Sequence, residues 1–228
     1  MSLVLALIAA YALGSIPAAY LAGKWKGIDL RKHGSGNLGA TNVFRVLGPR
    51  IGVAVFAFDM LKGAVPVLFF SRYVVPALMS AVIVQILCGV AAIAGHVRPL
   101  WLGFGKGGKG VATAGGVFLA LAPVETGLAL AAFALTLLAS GYVSLGSMVA
   151  AALLPVLLII RYGVGSPLVA VCAIVAVFVF WMHRANIERL RQGTENRFGK
   201  HEGKRTPVML IAVGVLSVVA AYTVMRPR

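Results

Sequence analysis

From residue 111 to residue 183 the chain carries only two charged side chains, Glu125 and Arg161. A soluble domain has no way to bury so long an apolar run, whereas a bilayer surrounds it with hydrocarbon. The rest of the chain agrees. Apolar residues make up 60% and charged residues 12% of the 228 positions, against about 25% charged in an ordinary soluble domain. Mean hydropathy is +0.95. These values exclude a soluble domain, a disordered chain and a nucleic-acid-binding arm, although the formal net charge is +15.

A transmembrane helix needs roughly 20 apolar residues. The hydropathy pattern predicts an all-α, polytopic transmembrane helix bundle with spans over 2–23, 50–70, 74–95, 111–122, 124–141, 144–161 and 166–183. An eighth is predicted over 207–225. The first segment has no basic region before it and reads as a retained span, not a cleaved signal peptide. Gly14, Ser15 and Pro17 interrupt it, an interruption that neighbouring helices can tolerate. Residues 37–47 suit a short re-entrant or interfacial helix. Two domains are expected: a single transmembrane unit over 1–206 and a C-terminal apolar extension over 207–228.

The cations lie between the spans. Loops 24–36, 96–110 and 184–206, together with the 37–47 helix, hold 15 of the 21 Lys and Arg residues. The positive-inside rule then puts all three loops on the cytoplasmic side and the N-terminus outside. If 207–225 crosses, Arg226 and Arg228 end outside. Cys88 and Cys172 both stand in apolar stretches, so neither a disulfide framework nor a zinc site is expected.

Three polar constellations could carry chemistry. The first runs from Gly34 through Ser35, Asn37, Thr41 and Asn42 to Arg45. Glycines at a helix start expose N–H groups, the helix N-terminus is partly positive, and Arg45 can fork onto a phosphate or carboxylate. The other reading is a cap and tight turn joining two spans. The second is the loop Gly103–Gly110, with Lys106, Gly107, Gly108, Lys109 and Gly110. Glycines admit a phosphate close to the backbone and Lys109 adds a point charge. The spacing is not that of a Walker A loop. A positive loop lying on anionic lipid would look the same.

The third constellation is His183, Asn186, Glu188 and Arg189, followed by Gly193, Thr194 and Glu195. His183 and Asn186 share a face if the span continues as one helix. A histidine at the end of a span is a candidate base or a solvated interfacial side chain. Glu188, five residues on, points away from His183 on a continuous helix. Asp59 and Lys62, at i and i+3 inside a span, read as a structural ion pair. Ser144 and Ser147 read as capping or interhelical hydroxyls. His96 could help shape the second loop.

Taken in order, these motifs resemble the bacterial membrane acyl-phosphate:glycerol-3-phosphate acyltransferase family (PlsY). The likeness covers residues 11–198 and rests on seven motifs. These are Gly14-Ser15-Ile16-Pro17, the Ser35–Arg45 run, Asp59-x-x-Lys62-Gly63, Gly95-His96-x-x-Pro99, Gly107–Thr113, Tyr142-x-Ser144-x-x-Ser147, and His183-x-x-Asn186 continuing to Glu195. One departure is Gly105, which separates Phe104 from Lys106 and lengthens the second loop by one residue.

The resemblance implies transfer of a fatty acyl group from acyl phosphate to the sn-1 hydroxyl of glycerol 3-phosphate. The products would be lysophosphatidic acid and inorganic phosphate, as the entry step of bacterial phospholipid synthesis at the inner membrane. His183, Ser35 and Asn186 would be catalytic. Arg45, Lys109 and Ser147 would hold phosphate, with Asn37, Thr41, Asn42, Gly107, Gly108 and Gly110 completing the substrate pocket. The implied partners are the two substrates and membrane lipid, with no metal and no organic cofactor. An organic-phosphate transporter is the alternative; its polar residues would be expected near the midplane, between repeats.

Overall fold

In a computed structural model the described residues are 1–74, 79–198, 214–215, 219–220 and 222–223. Among them the secondary structure is helical. Ten α-helices follow one another: α1 (Leu3–Gly14), α2 (Ala18–Trp25), α3 (Ala40–Leu47), α4 (Pro49–Leu68), α5 (Ala81–Val97), α6 (Val111–Leu121), α7 (Pro123–Ser140), α8 (Val143–Tyr162), α9 (Pro167–Met182) and α10 (Arg184–Arg191). They fall into two compact units, Met1–Leu121 and Ala122–Arg228. In the first, α1 packs on α5, and α4 packs on α3, α5 and α6. In the second, α8 packs on α7 and α9, and α10 adjoins α9.

Five stretches are long and apolar enough to cross a membrane: Leu3–Trp25, Pro49–Tyr73, Ala81–Leu102, Pro123–Ser140 and Val143–Tyr162. A sixth is added if Pro167–Met182 and Arg184–Arg191, bent by 55°, form one span. Large apolar side chains on these helices, such as Val4, Leu138, Ile174 and Val177, are well exposed, a pattern that suits a helix surrounded by acyl chains. α6 has 11 residues and, at about 1.5 Å per residue, is shorter than the hydrocarbon layer of about 30 Å.

The sequence expectations meet the helices with local differences. The expected 2–23 helix divides into α1 and α2. Pro17 lacks the N–H that would continue the ladder. α5 begins at Ala81, later than expected, because the Ser80 hydroxyl caps it by accepting from the Ile83 N–H (3.4 Å). The 166–183 span ends at His183 as expected, but the chain bends there into α10, so the first part of the expected 184–206 loop is helical. The 207–225 stretch lies outside the described residues apart from six helical positions.

Glycines let the helices of the first unit touch backbone to backbone. A Cβ on Gly14 would lie 2.2 Å from the Ala92 carbonyl oxygen, and one on Gly95 2.3 Å from that of Tyr11. A Cβ on Gly63 would lie 2.2 Å from Thr113 O, and one on Gly116 1.9 Å from Met60 O. In a bilayer such close approach replaces the hydrophobic drive that holds soluble helices together.

Buried charge fastens the same region. Lys62 Nζ lies 2.7 Å from Asp59 Oδ1, with both side chains almost fully buried. The ammonium also donates to the carbonyl of Ile16 at the α1–α2 break (2.9 Å). The predicted i, i+3 pair therefore forms, and it also serves a polar group exposed by the interruption of the first span.

Candidate active site

In the first unit, the segment before α3 is organised by one buried amide. Asn42 is 1% exposed. Its Nδ2 donates to the carbonyls of Leu30 (3.2 Å) and His33 (3.0 Å). Its Oδ1 accepts from the Ser35 N–H (2.9 Å). Gly34 sits so close that a Cβ would meet that oxygen at 2.2 Å, and its φ of +61° suits glycine. Ser35 is thereby fixed at the exposed surface, while Asn37 is half-buried. Gly39 begins α3 and supplies no side-chain cap. Thr41 and Arg45, at i and i+4, rise from one side of this helix, and Arg45 is exposed.

The second loop lies against the end of α5. The Gly107 N–H donates to Val97 O (3.0 Å) and the Gly108 N–H to His96 O (3.3 Å). These bonds occupy carbonyls that a helix end leaves unpaired. A Cβ on Gly108 would lie 2.2 Å from His96 Nε2 and 2.9 Å from Leu38 O. The two polar segments thus meet at Leu38 and Gly108. Lys109 is half-buried, and Gly110, with φ +82°, turns the chain into α6. Lys106 is exposed on the far part of the loop.

The second unit gathers the remaining residues around a carboxylate. Glu195 Oε1 accepts from Ser144 Oγ (2.8 Å) and from Asn186 Nδ2 (2.6 Å), and Oε2 accepts from Arg189 Nε (2.7 Å). Burial alone favours its protonated form. The hydrogen bonds from Asn186, Ser144 and Arg189 outweigh that and hold its pKa below the ordinary glutamate value. The segment is further tied down by Arg197, which donates to the Tyr142 hydroxyl (2.9 Å), and by the Phe198 N–H, which donates to Gly141 O (2.7 Å).

His183 is 3% exposed at the bend between α9 and α10. Its Nδ1 faces the Val179 carbonyl at 2.7 Å. A carbonyl only accepts, so Nδ1 carries the proton and the neutral ring has its lone pair on Nε2. Asn186 follows one turn later, its N–H donating to His183 O (2.8 Å). Ser147, 4% exposed, donates to Val143 O (2.9 Å) within α8. Glu188 accepts from Gln192 (2.6 Å).

Ser35, Asn42, Gly107, Gly108 and Gly110 are thus gathered in one unit, and Ser147, His183 and Asn186 lie in the other. Sequence reasoning gave no role to Glu195. Its signal was an acid amid the cations of 184–206. The part played by the Leu38 carbonyl has no sequence signal, since it belongs to the backbone.

Apolar helices broken at polar, glycine-rich junctions define an integral membrane protein. A family model described as glycerol-3-phosphate acyltransferase matches residues 4–193, and the chain belongs to that family. The glycerol-3-phosphate acyltransferase of Geobacter metallireducens is 50% identical over 195 residues, covering 86% of this chain and 97% of that one. That of Synechococcus sp. is 49% identical over 203 residues, covering 88% and 97%. The crystal structure of PlsY, an integral membrane glycerol 3-phosphate acyltransferase, in its glycerol 3-phosphate form superposes with a TM-score of 0.80 at 38% identity. The match covers 88% of this chain and 97% of that one. The lysophosphatidic acid form of PlsY gives a TM-score of 0.75 at 37% identity.

Proposed function

We propose that the chain moves a fatty acyl group from an acyl phosphate to the sn-1 hydroxyl of glycerol 3-phosphate, releasing lysophosphatidic acid and inorganic phosphate. The hydroxyl oxygen bonds to the acyl carbon. The bond from that carbon to the phosphate oxygen breaks, and phosphate leaves with the electron pair. Because a mixed anhydride already carries a good leaving group, orientation and charge stabilisation supply most of what is needed. No covalent acyl-enzyme is required.

In this reading Ser35, Arg45, Lys109, Ser147 and Asn186 hold phosphate groups. Asn37, Thr41 and Asn42 shape the pocket, and Gly107, Gly108 and Gly110, without side chains, let a phosphate approach the loop closely. His183 orients the glycerol hydroxyl and takes its proton at Nε2, unless a phosphate oxygen of the substrate takes it instead. The observation that carries the reading is the meeting of the two polar segments where Gly108 abuts Leu38 O. It joins the segment that carries Ser35 and Arg45 to the one that carries Lys109, and the two cations suit doubly charged phosphates.

The membrane arrangement belongs to the same proposal. The chain crosses a bacterial inner membrane seven times, α6 included, with its N-terminus outside and the basic loops cytoplasmic. The 207–225 stretch makes an eighth crossing. Two contacts support that last step. Phe198 bonds to Gly141, at the C-terminal end of α7, and Tyr222 hydrogen-bonds Glu125, in its first turn.

The test is a donor swap on purified protein in lipid, with glycerol 3-phosphate offered beside palmitoyl phosphate or palmitoyl-CoA. Lysophosphatidic acid from the acyl phosphate alone is the expected result. Product from the CoA donor alone overturns the donor assignment. No product from either, with glycerol 3-phosphate accumulating in sealed vesicles, points to a transporter of organic phosphates.

A further inference from the structure

Beneath the second loop lies a polar chain that the proposed mechanism does not use. His96, in the last turn of α5, is 5% exposed. Its Nδ1 lies 3.6 Å from Asp59 Oδ1 on α4. Asp59 is paired with Lys62, and Lys62 donates to Ile16 O at the break in the first span. On its other side the ring abuts Gly108, where an added Cβ would come within 2.2 Å of Nε2 and 2.9 Å of Cε1. The His96 carbonyl receives the Gly108 N–H. Gly108 therefore rests on both the side chain and the backbone of one residue.

Ionisable groups inside a membrane helix are costly to keep unless they are paired or functional. A structural ion pair accounts for Asp59 and Lys62 alone. It does not account for a third titratable ring placed between that pair and a glycine of the phosphate loop. We propose that His96 is a positioning residue: its imidazole, wedged between Asp59 and Gly108, sets the height of the Gly108 backbone and thereby the placement of Lys109 toward a substrate phosphate. The inference rests on the reading of Gly107–Lys109 as a phosphate-binding loop. Glycine at 108 is required because any side chain would displace the ring or the loop.

Steady-state kinetics on His96→Ala, Lys109→Ala and the double variant test this, with palmitoyl phosphate and glycerol 3-phosphate as substrates and Tm in detergent followed in parallel. Groups that orient a metal ligand from behind typically contribute about 10–100-fold, and the same scale is expected for a group behind a phosphate-binding lysine. His96→Ala is expected to lower kcat/KM by about tenfold or more in the wild-type background, and by less than about twofold once Lys109 is gone. His96→Asn, which keeps a planar polar side chain beneath Gly108, is expected to recover part of the loss. It takes the place of His96→Ala in the cycle if the alanine variant does not fold. An equal fold-loss in both backgrounds overturns the inference and leaves the loop reading intact. Wild-type kinetics in Lys109→Ala overturns the loop reading and this inference with it.

Discussion

The Asn186 amide donates to Glu195 Oε1 across 2.6 Å, an oxygen that also accepts from Ser144, 51 residues away in sequence. Asn186 is proposed to meet phosphate, so its placement depends on a carboxylate that need not touch substrate. Glu195→Ala strands the Asn186, Ser144 and Arg189 donors and is expected to cost about 1–3 kcal/mol of stability. Thermal unfolding in detergent measures it.

The same carboxylate sets a pH dependence. Its folded pKa is depressed, so its stabilisation is complete above the unfolded value, about 4.3 for glutamate. It is lost as pH falls through the depressed folded value. Wild-type Tm is expected to exceed that of Glu195→Gln near neutrality, with the gap closing in acid below the ordinary glutamate range. A gap that stays constant with pH contradicts this account.

His183→Ala and Arg45→Ala are each expected to lower acyl transfer by about 100-fold or more, the scale of one lost base or charge-stabilising group, while the protein still inserts. Turnover assays in lipid, normalised to membrane-inserted protein, check both. Near-wild-type turnover removes that residue from the site.

Glycines at helix contacts and glycines facing open space should respond in opposite directions. Gly116→Ala drives a methyl to within 1.9 Å of Met60 O and is expected to cost about 1–3 kcal/mol by overpacking. Gly127→Ala, with nothing within 4 Å, is expected to be neutral or to stabilise α7 by up to about 1 kcal/mol through helix propensity. Paired Tm measurements decide it.

Removing one member of the buried pair should be worse than removing both. Asp59→Ala leaves the Lys62 ammonium without its partner and is expected to cost about 3–5 kcal/mol. Asp59→Leu with Lys62→Met, which removes both charges, should recover much of that loss. A double variant less stable than Asp59→Ala would show that the charges themselves are required for the fold.

Much of the architecture was legible before any coordinates. Hydropathy is summed over about 20 neighbouring residues, so 50–70, 124–141 and 144–161 were readable as spans and appear as α4, α7 and α8. Helical spacing likewise made Asp59 and Lys62 readable as a pair, since i and i+3 adjoin on any helix. The interruption around Ser15 and Pro17 was visible for the same local reason. Span ends were less legible. The end of α9 at His183 was legible from the cations that follow it, but α10 inside the expected 184–206 loop was not, and the start of α5 depends on a Ser80 cap.

Sequence by itself determined that this chain lives in a bilayer, roughly where its helices run, and which polar residues stand at their junctions. These follow from the free energy of transferring short segments into hydrocarbon, which each segment carries without its neighbours. Tertiary structure alone decided which partner each polar group found. Asn42 takes the Leu30 and His33 carbonyls, Glu195 gathers Ser144, Asn186 and Arg189, and Gly108 settles between His96 and Leu38. An unpaired polar group in a membrane protein is strongly penalised. The penalty requires that a partner exist; the folding of loops back onto helix ends, and for Glu195 the approach of Ser144 on a helix 51 residues away, selects which one it is.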